Sequence, residues 1–329
     1  MAGRMKRGAE ILRGDGVVGL ARGIDRFFRW KLSKIARPIE TKLSETQFQL
    51  AEQPCHLMDE DWDVAIILDG CRYDAFLQAN TIDGELQYRI SPGSATPEFL
   101  ISNFADKEYY DTVYVTANPI YRTLSLGTVF HEVIDVWKEH WDSKFRTVLP
   151  ESIANATLTA LESYPNKRII SHFVQPHYPF IGDLGQELPN HAGIELTYRR
   201  AVGTSARRDN RTVWELLRKG KVERNTVWKA YLENVRVALP HVEQITKADA
   251  GKTVVTSDHG NLFGEKIYPL RRMFGHPSNI KHENLCKIPW LVRSSKNRRD
   301  IISSTPSGHK SITNASVSNR LKDLGYADL

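Results

Sequence analysis

The stretch VAIILDGCRYDAF at residues 64–76 decides the fold class of this chain. It begins with five apolar residues, 64–68, and turns polar at Asp69-Gly70. A short, continuous apolar run that ends at a turn signal is typical of a strand buried on both faces. KTVVTSDHG at residues 252–260 repeats this pattern. Both stretches predict central strands of a parallel sheet, with polar residues at their carboxyl ends.

Three further apolar runs extend this pattern along the chain. Segments long enough to carry helices separate the runs, which predicts an α/β fold: a largely parallel central sheet with helices on both faces. The longest predicted helix runs from about Asn225 to Lys247 and stops at Gly251, and a terminal helix near residues 316–324 closes the domain. The predicted strands are residues 64–68, 112–116, 168–174, 252–256 and 289–292.

The composition is that of an ordinary globular protein and excludes disordered, collagen-like and coiled-coil chains. Of the 329 residues, 41% are hydrophobic and 26% are charged. No run of 18 apolar residues occurs, and the N-terminus lacks the apolar core of a secretion signal. The three cysteines are an odd, widely spaced set without a CxxC pair, so no disulfide framework is indicated. We therefore expect a cytoplasmic protein.

The net positive charge lies at one end of the chain. Residues 1–45 contain 11 Lys and Arg against 5 Asp and Glu, which accounts for the whole-chain balance of 45 against 39. Within this segment, residues 17–35 show helical apolar spacing. We expect residues 1–50 to form a basic amphipathic helical extension of the main domain at residues 51–329. Its apolar stripe has two alternative fates: burial against the main domain, or peripheral contact with an anionic membrane surface.

A second basic stretch interrupts the α/β pattern at about residues 183–224, where we expect an inserted loop or lid. Two interpretations remain open: its arginines clamp an anionic substrate, or the stretch is a solvated surface. Nucleic acid is not an expected partner, because the chain has no nucleic-acid-binding motif and the net charge is confined to one end. The basic residues of the stretch are Arg199, Arg200, Arg207, Arg208, Arg211, Arg218, Lys219, Lys221 and Arg224.

Polar residues follow four of the predicted strands where the strands end. Ligands of open α/β sheets bind outside the carboxyl ends of the strands. Two carboxylates with one or two imidazoles suit Mn²⁺, Mg²⁺, Ca²⁺ or Zn²⁺, so we expect a divalent cation at this edge. For Asp69 alone, capping of the following helix is an equal alternative. In chain order the strand ends are Asp69-Gly70, Asn118-Pro119, Gln175-Pro176-His177 and Asp258-His259-Gly260.

Six motifs follow one another along the chain: ILDGCRYDAF (67–76), SPGSATPEFL (91–100), HFVQPHYPF (172–180), TSDHGNLFGE (256–265), GHP (275–277) and IPWLV (288–292). In this order they resemble the sulfatase-like branch of the alkaline phosphatase superfamily, which includes phosphodiesterases and phosphoethanolamine or phosphoglycerol transferases. The resemblance spans about residues 62–293. It implies a metal held by Asp69, Asp258 and His259, beside a hydroxyl nucleophile between the first two strands.

The resemblance places the nucleophile in SPGSATPEFL, where Thr96 and Ser94 are the candidates. We prefer Thr96 because Pro97 follows it, as in Thr-containing members, and because a helix that begins there attracts an anionic ester to its positive end. Thr96 would also join the metal ligands. The alternative for Thr96 is a helix N-cap.

Two departures from the family pattern narrow the expected chemistry. Neither Cys71 nor Cys55 has the Cys-x-Pro/Ala-x-Arg context that sulfatases need for formylglycine, so phosphate is favoured over sulfate. No Asp stands four residues before a histidine, as the second metal site of two-metal members requires, so we expect one metal ion. Asn261 stands where members often have Glu, and we assign it no ligand role.

The resulting hypothesis is a covalent transfer in two steps. Thr96 attacks phosphorus, while the metal lowers the pKa of the hydroxyl and offsets transition-state charge. His177 and His276 hydrogen-bond the transferred group or protonate the leaving oxygen. The weaker candidates for substrate contacts are Ser94, Arg72 and Asn118, and the arginine has a structural salt bridge as its alternative.

The acceptor of the transferred group stays open at this point. Water would make the protein a hydrolase and an alcohol would make it a transferase, with a lipid-linked or surface-glycan ester as the substrate that the basic N-terminus favours. A catalytically silent scaffold or binding module at the membrane surface is the alternative function.

Overall fold

The computed structural model describes residues 53–204, 211–248, 250–268 and 271–306. The predicted extension at residues 1–50, the predicted terminal helix and residues 205–210 of the basic insertion lie outside the described residues. The two alternative fates of the N-terminal apolar stripe therefore remain predictions.

Strands and helices alternate along the described chain. The strands are β1 (Val64–Leu68), β2 (Glu85–Ile90), β3 (Tyr109–Thr116), β4 (Phe130–Asp135), β5 (Trp141–Asp142), β6 (Thr147–Val148), β7 (Arg168–Phe173), β8 (Thr253–Ser257), β9 (Leu262–Tyr268), β10 (Arg271–Gly275) and β11 (Lys287–Arg293). The α-helices are α1 (Tyr73–Ala79), α2 (Thr96–Phe104), α3 (Ile120–Thr123), α4 (Val136–Glu139), α5 (Pro150–Ser163), α6 (Asp183–Glu187), α7 (Glu195–Ala201), α8 (Val213–Arg218), α9 (Arg224–Lys247) and α10 (Glu283–Cys286). Leu57–Asp59 and Leu126–Thr128 form short 3₁₀ helices.

Seven strands form the central sheet, in the order β2, β11, β8, β1, β7, β3, β4. β1 pairs in parallel with β7 and β8, and β3 pairs in parallel with β7 and β4. Within this sheet, β11 runs antiparallel to both of its neighbours, β8 and β2. The prediction of a largely parallel sheet is confirmed, and the carboxyl ends of β1, β3, β7 and β8 lie along one edge.

Helices cover both faces of the sheet, as predicted. On one face α1 and α9 contribute Phe76 and Val235 to a core in which both are fully buried. On the other face α2 contributes the fully buried Phe104. β1 supplies both cores, because Ile66 points to the first and Ile67 to the second. A strand buried on both faces needs a continuous apolar sequence, which is why β1 is recognisable in the sequence.

The apolar pattern does not predict the edge strands β2 and β4. An edge strand has one neighbour and exposes part of its length to water, so it needs no apolar run. In β2 only Ile90 is buried. The paired strands β9 and β10 were also not predicted, and β3 begins at Tyr109, three residues before the predicted start.

The long helix α9 runs from Arg224 to Lys247, within one residue of the prediction. Its C-cap is Ala248, so Gly251 is not the residue that stops it. Gly251 instead leads the chain into β8 with a φ of 117°, which favours glycine. A Cβ at this position would lie 2.5 Å from Asp63 Oδ2.

The basic insertion, for which the sequence predicts a loop or lid, carries regular structure, and its role as a lid stays a prediction. Its described part contains the short helices α6, α7 and α8. α8 begins with a capping box, in which the Thr212 side chain accepts a bond from the Glu215 amide and the Glu215 side chain accepts one from the Thr212 amide. Within the described residues, no helix has both the length and the apolar character that a membrane-spanning segment needs.

Gly251→Ala is expected to lower the free energy of unfolding by about 3 kcal/mol, because alanine must adopt a positive φ and its Cβ collides with Asp63. Gly220→Ala is the matched control. Gly220 has a φ of 64° with no atom within 4 Å of an added Cβ, so its substitution should cost about 1 kcal/mol. Urea unfolding followed by tryptophan fluorescence measures both costs. Equal costs would contradict the collision as their cause.

Candidate active site

Two carboxylates and one imidazole converge at the carboxyl ends of β1 and β8. Leu68 is in register with Ser257, so the residues that follow them, Asp69 and Asp258, stand side by side. Both are buried, as is His259. His259 Nε2 lies 3.7 Å from Asp69 Oδ1 and 3.4 Å from Asp258 Oδ2. The sequence prediction that these side chains meet at one edge agrees with this placement.

Each carboxylate has one oxygen held by the protein and one oxygen without a partner. Asp69 Oδ2 accepts a hydrogen bond of 2.7 Å from Asn118 Nδ2. Asp258 Oδ1 accepts bonds of 2.8 Å from the Gly70 amide and 2.9 Å from the His259 amide. Asp69 Oδ1 and Asp258 Oδ2 are buried and have no hydrogen-bond partner among the described residues.

The hydrogen bonds of His259 fix its tautomer. Nδ1 lies 2.8 Å from the Gly260 carbonyl oxygen, which only accepts, so Nδ1 carries the proton. In the neutral imidazole, Nε2 then presents a lone pair toward the two carboxylates. Two unpartnered carboxylate oxygens and one imidazole lone pair, all within 4.8 Å of one another, fit a divalent cation.

The pKa shifts of the two carboxyls reflect the burial of two carboxylates side by side. Burial and the neighbouring Asp258 charge raise the pKa of Asp69 well above its ordinary value, although the bond from Asn118 acts in the opposite direction. Burial also acts to raise the pKa of Asp258, but the positive charge of the His259 and His172 rings in their protonated form, together with the bond from the Gly70 amide, outweighs it and lowers that pKa. Adjacent carboxylates in a dry site do not both ionise without a compensating charge.

Thr96 is the first residue of α2, and its hydroxyl faces this cluster. Thr96 Oγ1 lies 3.2 Å from His259 Nε2, and the side chain is buried. The N-cap of α2 is Ala95, so Thr96 does not cap the helix. Nor does Asp69 cap α1, whose N-cap is Arg72. The helix-cap alternatives for Thr96 and Asp69 therefore do not hold, and both side chains face the buried cluster.

Ser94 connects α2 to the loop that follows β10. Its hydroxyl oxygen lies 2.9 Å from Glu98 Oε2 and 2.9 Å from the Pro277 carbonyl oxygen, and it lies 3.3 Å from the Ile280 amide. Glu98 Oε1 also accepts a bond of 2.6 Å from the Asn279 amide. Ser94 therefore has three partners in the protein and links the loop of His276 to the turn of Thr96.

His177 and His276 form a bonded pair beside the carboxylates. Their Nε2 atoms are 3.1 Å apart, and the His276 ring stacks on the His259 ring with centroids 4.6 Å apart. His177 Nδ1 donates to the Tyr178 carbonyl oxygen at 2.6 Å, so its Nε2 accepts the proton of His276 Nε2. His276 Nδ1 is then an unprotonated, unpartnered buried nitrogen.

Burial keeps both histidines neutral at pH 7. Loss of solvation lowers the pKa of His177 to about 4, with a bond to the Tyr178 carbonyl acting against it. Burial, together with the neighbouring His259 and His177 rings, lowers the pKa of His276 well below its ordinary value. At pH 7 the pair therefore holds no imidazolium proton to supply, and its lowered pKa also makes it a weaker base than an exposed histidine.

Arg72 and Asn118, two weaker candidates for substrate contacts, have partners inside the protein. Arg72 pairs with Asp74 at 2.6 Å and with Glu265 at 3.1 Å, and its guanidinium lies 5.0 Å from the ring of Trp228. These contacts agree with the alternative interpretation of Arg72, in which it forms a structural salt bridge and does not contact the substrate. Asn118 donates to Asp69 and so orients a candidate ligand.

The sequence analysis assigned no role in the site to three further residues around this cluster. His172 is fully buried on β7, its Nδ1 lies 2.6 Å from the Tyr114 hydroxyl, and its Nε2 has no partner. A histidine inside an apolar strand five residues before His177 was an available signal. Tyr231 and Asn261 both donate to the Gly70 carbonyl, at 2.6 and 2.8 Å, and no pattern in the sequence predicts these contacts.

Ser94→Ala is expected to raise the hydrogen-exchange rate of the Ile280 amide about tenfold, because one buried link between α2 and its loop is lost. Exchange followed by mass spectrometry measures this rate. Ser295→Ala is the control, since the Ser295 hydroxyl bonds to Asn297 on an exposed stretch. An unchanged rate at Ile280 would show that Ser94 does not hold the loop.

No family model and no curated protein matches this chain. Solved structures do resemble it. The integral membrane protein lipooligosaccharide phosphoethanolamine transferase A (EptA) from Neisseria meningitidis is 13% identical with a TM-score of 0.44, and the match covers 89% of this chain. The chain spans 59% of the length of that protein.

Two other solved structures give similar values. The C-terminal periplasmic domain of phosphoethanolamine transferase EptC from Campylobacter jejuni is 14% identical, covers 71% of this chain and 78% of its own, and has a TM-score of 0.46. A protein in the alkaline phosphatase superfamily from Vibrio parahaemolyticus is 11% identical, covers 79% and 69%, and has a TM-score of 0.38. At these values the likeness concerns the fold alone.

The cytoplasmic location predicted from the sequence is wrong by this comparison, since the Campylobacter jejuni structure is described as a periplasmic domain. The prediction rested on unpaired cysteines and on a missing apolar leader, and neither feature decides a compartment. Disulfides are permitted, not required, outside the cytoplasm. The solved structures that this chain resembles agree, at the level of the fold, with the resemblance of its motifs to the sulfatase-like branch of the alkaline phosphatase superfamily.

Proposed function

We propose that this protein is a metal-dependent enzyme that hydrolyses or transfers a phosphate ester through a covalent intermediate on Thr96. One observation carries the proposal: two unpartnered carboxylate oxygens and the lone pair of His259 Nε2 meet in a buried cluster beside the Thr96 hydroxyl. A buried cluster of this kind is unfavourable unless a cation joins it. The hydroxyl at the start of α2 is where an anionic ester would be attracted.

The residues that would hold the cation are Asp69, Asp258 and His259, with Thr96 beside them. When bound, a divalent cation lowers the pKa of a hydroxyl and offsets anionic charge in the transition state. Mn²⁺, Zn²⁺, Mg²⁺ and Ca²⁺ all accept such donors, and the titration described below distinguishes among them. Asn118 and the amides of Gly70 and His259 hold the outer carboxylate oxygens, so the inner oxygens keep their orientation.

Thr96 carries the covalent step. The bond from Thr96 Oγ1 to phosphorus forms, and the bond from phosphorus to the ester oxygen breaks, with its electron pair leaving on that oxygen. The hydroxyl proton of Thr96 passes to the neutral histidine pair and from there to the leaving oxygen. In the second step an acceptor hydroxyl attacks phosphorus and gives up its proton to the histidine pair. The bond from phosphorus to Thr96 Oγ1 breaks with its electron pair leaving on Oγ1, and Oγ1 takes up that proton.

The neutral pair His177 and His276 supports this proton route. Both imidazoles have pKa values lowered by burial, so at pH 7 they are neutral, and each is a weaker base than an exposed histidine. Among the described residues, His276 Nδ1 has no hydrogen-bond partner. A positioned base contributes about 10²- to 10⁴-fold to a rate when its pKa lies near the working pH, and the lowered pKa of this pair lies below that range.

Phosphate rather than sulfate is the proposed ester, because neither Cys55 nor Cys71 has the sequence context that sulfatases need for formylglycine. Cys71, the cysteine nearest to the carboxylates in sequence, is fully buried, and burial raises the pKa of its thiol well above the ordinary value. A thiol in that state is a poor nucleophile, which leaves Thr96 as the proposed one. We also propose a lipid-linked or surface-glycan ester as the substrate, on the charge of residues 17–35.

Asp258→Asn is expected to weaken divalent-cation binding by more than about 100-fold, since even the loss of a residue that only orients a metal ligand costs about 10- to 100-fold. Isothermal titration of the metal-free protein with each of the four cations measures the affinity. Asp63→Asn is the matched control, because Asp63 is also buried but stands before β1, at the opposite end from Asp69. Equal affinity in wild type and Asp258→Asn would contradict the proposed cation site.

Thr96→Val is expected to abolish a covalent adduct that wild type forms with bis-p-nitrophenyl phosphate, because valine has the shape of threonine without the hydroxyl. Mass spectrometry of quenched protein locates the adduct, and p-nitrophenol release measures turnover. Ser94→Ala should still form it. An adduct on Ser94, or turnover by Thr96→Val, would contradict the assignment of Thr96 as the nucleophile.

Absence of both metal binding and turnover with phosphate and sulfate esters would instead support the alternative function, a catalytically silent scaffold.

A further inference from the structure

The segment that presents His177 has little regular structure of its own. It leaves β7 at Val174 and runs to Ile181, and its prolines at 176 and 179 lack an N–H group. Its backbone must therefore find partners elsewhere in the protein. The His177 amide is shared between the carbonyl oxygens of Asp69 and Val174, both at 3.0 Å, and its bond to Asp69 ties one side of the segment to the residue that bears a candidate metal ligand.

Asn234 holds the other side of the segment. Its side-chain oxygen accepts a bond of 2.9 Å from the Ile181 amide. Its amide nitrogen donates to the carbonyl oxygens of Pro176 and His177, at 3.1 and 3.2 Å, and lies 3.4 Å from that of Pro179. One side chain thus spans the segment from end to end.

The position of Asn234 in α9 is costly without these bonds. The residue is fully buried, and Tyr231, Val235 and Ala238 around it form an apolar stripe. An unpaired buried amide costs about 1–3 kcal/mol, so an apolar residue would suit this stripe better if the helix only had to pack. Hydrogen bonds to the backbone of the His177 segment therefore account for an amide side chain at this position.

Hydrogen bonds on both sides of His177 therefore fix its position relative to the site. Its N–H is bound to Asp69 and its C=O is bound to Asn234. The imidazole that results lies 3.1 Å from His276. A shift of the segment would change that distance. Asn234 itself makes no bond to Asp69, Asp258 or His259, and the bond from the His177 amide to the Asp69 carbonyl links the segment to the carboxylate cluster.

We propose that Asn234 is a positioning residue: by binding the backbone on both sides of His177, it holds that imidazole against His276. The proposal rests on the proposed function for its catalytic meaning. The structural part of the proposal is that Asn234 fixes the position of His177. This part can be measured without an activity assay. Asn234 does not touch the reacting atoms, so its effect should appear through the orientation of His177.

Two variants of the full chain test this role. Asn234→Ala removes every bond to the segment. Asn234→Asp keeps the size of the side chain and the acceptor for the Ile181 amide but removes the amide donor that binds the carbonyl oxygens of Pro176 and His177, so it separates the donor from the acceptor. Thr246→Val is the matched control, since Thr246 is a buried hydrogen-bonding residue of the same helix whose hydroxyl donates to the Glu243 carbonyl.

Labelling by diethyl pyrocarbonate, with peptide mapping by mass spectrometry, measures the exposure of His177. We expect at least about fivefold faster labelling of His177 in both Asn234 variants, with His259 unchanged and with the control like wild type. We also expect kcat to fall by about 100-fold, the effect of a misplacement of about 1 Å, while cation affinity stays within twofold of wild type.

Each outcome decides one question. Unchanged His177 labelling in both Asn234 variants overturns the proposal, and so does faster labelling with wild-type kcat. Equal effects in Thr246→Val overturn it too, because they would show general destabilisation. A wild-type protein without turnover overturns the proposed function, and the labelling ratio alone then supports or overturns the hold of Asn234 on His177.

Discussion

The burial of two carboxylates side by side is the constraint on which the rest of this structure depends. Burial and the neighbouring Asp258 charge raise the pKa of Asp69, whereas protonated His259 and His172 and the bond from the Gly70 amide lower the pKa of Asp258. The parallel register of β1 and β8 makes the pair unavoidable, since both aspartates leave the sheet at the same level. Gly70 then crosses between them: its amide binds Asp258, and its φ of 67° is one that a side chain rarely permits.

The elements around the pair are arranged to hold its surroundings still. The Gly70 carbonyl is bound by Tyr231 and Asn261, so the turn after β1 is fixed from α9 and from the segment after β8. Ser94 links the loop of His276 to α2, and Asn234 holds the segment of His177. A site whose groups must stay within about 0.5 Å of a working geometry needs such support from residues that touch no substrate.

The sequence predicts those parts of the fold in which one local pattern has one structural meaning. β1 was predicted with its observed bounds because a strand buried on both faces must be apolar throughout, whereas β2 and β4 lie at edges where no such demand exists. Asp69 and Asp258 were brought together by the rule for strand ends. The roles of Ser94 and Asn234 depend on partners at least 50 residues away, such as Pro277 and the His177 segment, and on loop paths that no local pattern encodes.

The charge balance of the proposed site bears on which esters suit it. A divalent cation would neutralise Asp69 and Asp258, and burial keeps His177 and His276 neutral at pH 7. Arg72 is already balanced by Asp74 and Glu265. The start of α2 adds positive potential equivalent to about half an elementary charge. A phosphodiester with a single negative charge is matched by this balance better than a phosphomonoester with two, because the second charge would enter a buried site without a counter-charge.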